Sequence, residues 1–183
     1  YPAMYLPHKN HKYIIDTIKL LNSKFKMEIA AVFCGSDKGY LKKIKKYVSD
    51  LNLNEKIIFL DFVKSEHLPY LYLNALALAM PTFSGPTNIP PWEAFKIGIP
   101  VLYSKIHNIK EVYKDAVYYI DPLNPDTMAK GIIDISNDLA LKEKLIKNGK
   151  KLLNEINFER EFEQFFEIID KREKTKEVWE FNN

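Results

Sequence analysis

The chain has 183 residues, a net charge of +3 from 27 basic and 24 acidic side chains, an apolar share of 46%, and 11 tyrosines with 11 phenylalanines. These values exclude a disordered or low-complexity chain and give no basic excess that would suggest nucleic acid, while the length suits one sizeable hydrophobic core. The lone Cys34 excludes an intrachain disulfide and a cysteine zinc cluster, and points to a reducing compartment.

The chain opens on a strand candidate, YPAMY over residues 1–5, followed by the turn LPHKN. A chain that starts directly on a strand reads as part of a longer protein. Ile14, Ile18 and Leu21 then share one face of a helix over residues 11–22. EIAAVFC (28–34) is a continuous apolar strand ended by Gly35, and Leu41, Ile44 and Val48 mark a second amphipathic helix. KIIFLDF (56–62) is a third strand, HLPYLY a brief helix or turn, and ALALAM (75–80) a fourth strand. After a long loop come a helix over about residues 91–96, the strand PVLYS (100–104) and the strand AVYYI (116–120). The turn DPLNPD leads into helices carrying Met128, Ile132 and Ile135, then Leu141, Leu145 and Leu152. Phe158, Phe162, Phe165 and Ile169 open a long C-terminal helix with a charged tail, so the expected division is 1–157 for the domain and 158–183 for the helix and tail.

Strands that are apolar on both faces need helices above and below, which makes this an α/β chain: an open, doubly wound parallel sheet of about six strands in three layers, α/β/α. In the strand order 3-2-1-4-5-6 the order reverses between strands one and four. The loops LPHKN and TFSGPTNIPP then face each other at the carboxyl edge, where such sheets bind ligands.

That second loop belongs to PTFSGPTNIPPWEAFKIGIPV, which carries five prolines (Pro81, Pro86, Pro90, Pro91 and Pro100) around one carboxylate, Glu93. Proline suits a first helical turn, and a carboxylate there is favoured by the helix dipole by about 0.3–1 kcal/mol. Stability alone therefore accounts for Glu93 as well as a role in accepting paired hydroxyl donors such as those of ribose. Ser84, Gly85, Pro86, Thr87, Asn88 and Ile89 form a segment that can aim backbone amides and hydroxyls at sugar or phosphate oxygens, although an ordinary turn uses the same residue types. Lys9 can neutralise a phosphate as a point charge. His8 and His11 read as polar loop or capping residues, because no Cys, Asp or Glu of their segment completes a metal site. Trp92 and Phe95 read as packing residues.

Gly35 and Ser36 are only a fragment of a dinucleotide fingerprint. The full G-x-G-x-x-G, a phosphate loop, a nucleophile elbow and an H-E-x-x-H are all missing. The longest largely apolar segment, Leu71 to Met80, is far shorter than the roughly 20 residues that span a bilayer. Lys38, Lys42, Lys43, Lys45 and Lys46 cluster on one helix, which suits a solvated face or contact with an anionic membrane surface.

PTFSGPTNIPPWEAFKIGIPVLYS, IKEV and YKDAVYYIDPLNPDTMAKGI together resemble the C-terminal, donor-binding domain of the retaining group 1 (family 4) GT-B glycosyltransferases, which pair two facing Rossmann-like domains. The resemblance covers nearly the whole chain, including GIPV at Gly98–Val101 and the DP of Asp121 and Pro122. It implies transfer of a sugar from a UDP- or GDP-linked donor to a glycan or lipid-linked glycan, with retention and without a metal or other cofactor, as in polysaccharide or lipopolysaccharide biosynthesis. Lys9 and Glu93 would be the catalytic pair, with Lys9 serving the diphosphate and Glu93 the ribose. Gly35, Ser36 and the segment from Ser84 to Ile89 would complete the donor site. Two family positions depart: the first of its two glutamates falls on Gly85, and an arginine beside the diphosphate falls on Met4. The acceptor-binding N-terminal domain lies outside this sequence, so the isolated chain is expected to be inactive, and the whole enzyme cytoplasmic or peripheral on the inner membrane face. The alternative is a noncatalytic module that binds a nucleotide, glycan or protein on the same fold.

Overall fold

The computed structural model describes residues 1–85 and 88–155. Among the described residues five strands occur: β1 (Ala31–Cys34), β2 (Ile57–Leu60), β3 (Leu78–Met80), β4 (Val101–Ser104) and β5 (Tyr118–Ile120). The helices are α1 (His11–Ser23), α2 (Leu41–Asp50), α3 (Leu68–Leu73), α4 (Ile89–Ile97), α5 (Ile109–Tyr113), α6 (Pro125–Asn137) and α7 (Leu139–Glu155). Tyr1–Leu153 form one compact unit; of a second unit, Asn154–Asn183, the described residues include only the end of α7. The expected C-terminal helix from Phe158 lies outside the described residues.

All strand pairs are parallel, as chains of doubly apolar strands require. β1 pairs with β2 in the register Ala31–Ile57 to Cys34–Leu60, while β3, β4 and β5 form a separate ladder in that order. Alternate residues feed opposite layers. Val101 and Tyr103 of β4 join Leu78 and Met80 in one core with Ala94, Phe95, Ile109 and Tyr113. Leu102 and Ile120 instead join Ile14, Ile18, Phe33, Met128 and Ile132 in the other. Each large apolar side chain removed from water in this way contributes about 1.5–3 kcal/mol, which is why the two helical layers stay on the sheet.

The expected first strand is reduced to two parallel bridges, Pro2 with Cys34 and Tyr5 with Asp37. Its backbone donors still reach β1 and the loop beyond it: Ala3 N donates to Cys34 O at 2.9 Å and Tyr5 N to Ser36 O at 3.1 Å. Pro2 has no N–H to add a rung, and after Tyr5 the chain turns into the short 3-10 turn Pro7–Lys9. Cys34 pairs with Leu60 on one side and Pro2 on the other, so the local order runs β2, β1, residues 1–5. This is the first half of the expected arrangement. Gly35 permits the approach, because a Cβ there would stand 2.2 Å from Ala3 O.

Between β1 and β3 lies a mostly apolar cavity of about 640 Å³, lined by Pro2, Val32, Ala77, Ala79, Leu102 and Met128 among others. Exposed residues such as Tyr70 and Asn74 also line it, so it opens to solvent; it includes neither Lys9 nor Glu93 and is not the candidate donor site.

Candidate functional site

The site is built where the loop after residues 1–5 meets the loop after β3. Lys9 ends the 3-10 turn, and Asn10 follows with φ 58°, a left-handed conformation that asparagine tolerates well. Asn10 Nδ2 donates to Pro81 O at 3.1 Å and to Pro122 O at 2.9 Å, so one side chain ties this loop to those after β3 and β5. Phe83 N donates to His8 O at 2.9 Å, and the buried Thr82 hydroxyl lies 2.7 Å from Ser84 O and 3.2 Å from His8 O. The two loops expected to face each other are therefore hydrogen-bonded together.

Across this junction Lys9 Nζ donates to Asn88 Oδ1 at 3.1 Å. Asn88 is locked from behind: Nδ2 donates to Tyr103 Oη at 2.6 Å and also to Gly85 O, Tyr103 Oη donates to Gly85 O at 2.6 Å, and Tyr113 Oη reaches Asn88 O at 3.4 Å. Both amide hydrogens of Asn88 are thus engaged within the loop, and its carbonyl oxygen is left to hold the lysine. Lys9 has no carboxylate partner among the described residues, and burial holds its pKa below the ordinary lysine value. A half-buried ammonium with one neutral acceptor is poised to be stabilised by an arriving anion.

Gly85 has φ +96°, where a side chain is strained, and a Cβ there would stand 3.0 Å from Asn88 Nδ2. The Asn88 amide thus occupies the space next to the position where the family resemblance places its first glutamate. Pro86 and Thr87 lie outside the described residues.

α4 begins at Ile89, two residues earlier than expected, with Pro90 and Pro91 inside its first turn. Glu93 consequently lies beyond that turn, and the helix dipole, which fades within the first turn, is not what places a carboxylate there. The prolines also leave Asn88 and Ile89 as the two residues with backbone N–H groups among 88–91, so the anion-binding capacity of this helix end is concentrated on them. Ile89 is 69% exposed and Ser84 is exposed. Glu93 is half-buried, and its Oε2 accepts a hydrogen bond from Tyr72 Oη at 2.7 Å.

The small-residue turn after β1 is held by Asp37, whose Oδ1 accepts from the N–H groups of Gly39, Tyr40 and Leu41 at 2.7–3.1 Å. These bonds, that from Leu41 foremost, lower its pKa. Gly35 and Ser36 are half-buried beside residues 1–5, Gly35 for close approach and Ser36 through its carbonyl bond to Tyr5. Met4 is 43% exposed and supplies no charge.

His11 differs from the polar loop residue expected. Its ring is 1% exposed, lies 4.9–5.1 Å from the rings of Tyr1, Tyr5 and Phe33, and has no hydrogen-bond partner at either nitrogen. Burial pushes its pKa down to about 4. Phe95 is buried as expected, and Trp92 packs edge-on against it at 5.6 Å. Tyr72, Tyr103, Tyr113 and Asn10, which brace the site, escaped sequence reasoning because their partners lie far along the chain; the 11 tyrosines were the one available hint. Among the described residues, no group of three His, Cys, Asp or Glu side chains could hold a metal ion, and no helix is long and apolar enough to cross a membrane.

Residues 1–152 match the family described as glycosyl transferases group 1. The chain is 27% identical over 145 residues to an uncharacterized glycosyltransferase of Methanocaldococcus jannaschii, covering 78% of this chain and 36% of that protein. It is 33% identical over 116 residues to the O-antigen chain mannosyltransferase RfbU of Salmonella typhimurium, covering 63% and 32%. The crystal structure of Anabaena HepE in complex with UDP-glucose superposes with a TM-score of 0.77 at 18% identity, covering 93% of this chain and 48% of that one, a likeness of fold. The chain thus spans about a third of the length of these curated relatives. It belongs to the group 1 glycosyl transferases and corresponds to their C-terminal, Rossmann-like GT-B domain.

Proposed function

We propose that this domain binds a UDP- or GDP-linked sugar between the loop of Lys9 and the loop of Ser84–Ile89, and presents it for retaining transfer to a glycan or lipid-linked glycan. The observation that carries this reading is the Lys9–Asn88 contact, which brings a half-buried cation with no acidic partner among the described residues to the helix end that follows β3. As the bond between sugar and diphosphate breaks, negative charge grows on the leaving oxygens. Lys9 and the Gly85, Asn88 and Ile89 amides would stabilise that charge most strongly when it is largest. Glu93 would accept the ribose hydroxyls, and Gly35 and Ser36 would border the nucleotide. No protein carboxylate stands at Gly85 to contact the sugar, so that contact would fall to the loop amides and the Asn88 carbonyl oxygen.

Two relatives support the donor class: the HepE structure holds UDP-glucose, and RfbU is named a mannosyltransferase of the O-antigen chain. An acceptor-binding domain would come from outside this chain, which alone would bind donor weakly and transfer little. A cytoplasmic setting, with the exposed lysines of α2 turned toward an anionic membrane surface, fits this chemistry. Gly85 and Met4 favour a second reading, a module that keeps the fold and binds nucleotide without catalysis.

Replacing Glu93 by Ala tests the assignment. The expected result is about tenfold or greater loss of UDP or GDP affinity in a chain that still folds, with a melting temperature a few degrees lower because the buried Tyr72 hydroxyl loses its partner. Unchanged affinity would sink the ribose role.

A further inference from the structure

Tyr72 stands near the end of α3, 4% exposed, with its ring among Leu78, Met80, Ala94 and Phe95. We propose that Tyr72 is a positioning residue of the donor site, holding Glu93 Oε2 so that Oε1 is presented to the ribose hydroxyls. This rests on the reading of Glu93 as the ribose acceptor.

A carboxylate offers about four lone-pair sites and donates nothing, and its terminal torsion is broad. A half-buried glutamate free to turn would spread those sites over many directions. Tyr72 removes that freedom through its hydrogen bond to Oε2 at 2.7 Å. The phenol is an effective anchor because its ring is fixed by the core, 21 positions away from Glu93 in sequence. Burial first, and the hydrogen bond to Glu93 second, raise the tyrosine pKa, so the bonding proton stays on Tyr72. No ion pair competes for Glu93 among the described residues. One oxygen is therefore spent on the protein, and the other, with the spare lone pair of the first, is left for the ribose hydroxyls. The consequence is selectivity: the site should prefer a ribose bearing both hydroxyls over one lacking them, and the preference should depend on Tyr72.

The test uses the full chain and ligand-detected NMR at millimolar UDP, GDP and their 2′,3′-dideoxy forms. In the unmodified chain the ribose nucleotide binds more tightly than its dideoxy form. Tyr72→Phe should weaken the ribose nucleotide about tenfold, leave the dideoxy form unchanged, and add nothing to Glu93→Ala in the double variant. Tyr72→Met, which keeps apolar bulk, makes the same comparison if the Phe variant does not fold. Equal loss for both nucleotide forms, or losses that add to those of Glu93→Ala, would show a merely structural role and overturn the proposal. If Glu93→Ala abolishes the ribose preference while the Tyr72 variants keep it, Tyr72 falls and Glu93 stands. If Glu93→Ala keeps the preference, or the chain binds neither nucleotide, the donor-site reading falls and this proposal falls with it.

Discussion

Lys9 Nζ lies 3.1 Å from Asn88 Oδ1, joining two loops 79 positions apart in sequence. The lysine is half-buried and faces a neutral amide rather than a carboxylate, so its charge is only partly compensated. Lys9→Ala should therefore weaken UDP or GDP binding by about 10- to 100-fold, the range expected of a charge-assisted hydrogen bond. Binding of the corresponding nucleoside, which has no phosphate, should change little. Titration of both ligands against both proteins checks this, and equal losses for nucleoside and nucleotide would refute the diphosphate role.

Gly85 and Asn88 share one space. A Cβ at Gly85 would press on the Asn88 amide at 3.0 Å from a backbone held at φ +96°. Gly85→Glu should consequently not restore the acidic residue of the family pattern. The strained backbone is expected to cost about 1–3 kcal/mol, and the displaced amide would release Lys9. Calorimetry should show a melting temperature several degrees lower and nucleotide affinity reduced rather than improved. A variant with full stability and tighter donor binding would show that the loop accepts the acid.

The meeting of the loops of Lys9 and Asn88 was legible before the structure because parallel strands announce themselves. AVFC, IIFL, LAM, VLYS and YYI all lie inside apolar runs, and their alternation with amphipathic helices fixes which loops share the carboxyl edge. Residues 1–5 were harder, because Pro2 removes a rung and an apolar pattern cannot show how many ladder bonds survive. The start of α4 was misplaced by two residues because Pro90 and Pro91 suit several positions of a first turn. α5 was missed because five residues following a left-handed Asn108 carry too little periodicity. The buried hydroxyls of Tyr72, Tyr103 and Tyr113 were illegible for a different reason. A tyrosine in an apolar run looks the same whether its hydroxyl meets water or a partner 15–25 positions away.

His11 gives the fold a defined acid sensitivity. Its pKa is about 4 in the folded chain against an ordinary value of 6.5, so as pH falls the unfolded chain takes up this proton first. Stability from this group is complete above about pH 6.5 and declines between pH 6.5 and 4, by up to about 3 kcal/mol. Below pH 4 both states are protonated and this contribution is flat. Urea unfolding from pH 4 to 7 should show the slope, and His11→Phe, placing an apolar ring among Tyr1, Tyr5 and Phe33, should flatten it. A slope unchanged in that variant would assign the acid sensitivity to other groups.

The most direct measurement is a two-dimensional amide NMR titration of the labelled chain with UDP and with GDP. The donor-site reading predicts shifts for one of the two nucleotides at Lys9, Gly35, Ser36, Gly85, Asn88, Ile89 and Glu93, with Val32 and Ala77 of the apolar cavity unmoved. No shift with either nucleotide at millimolar concentration, or shifts confined to the cavity lining, would contradict it.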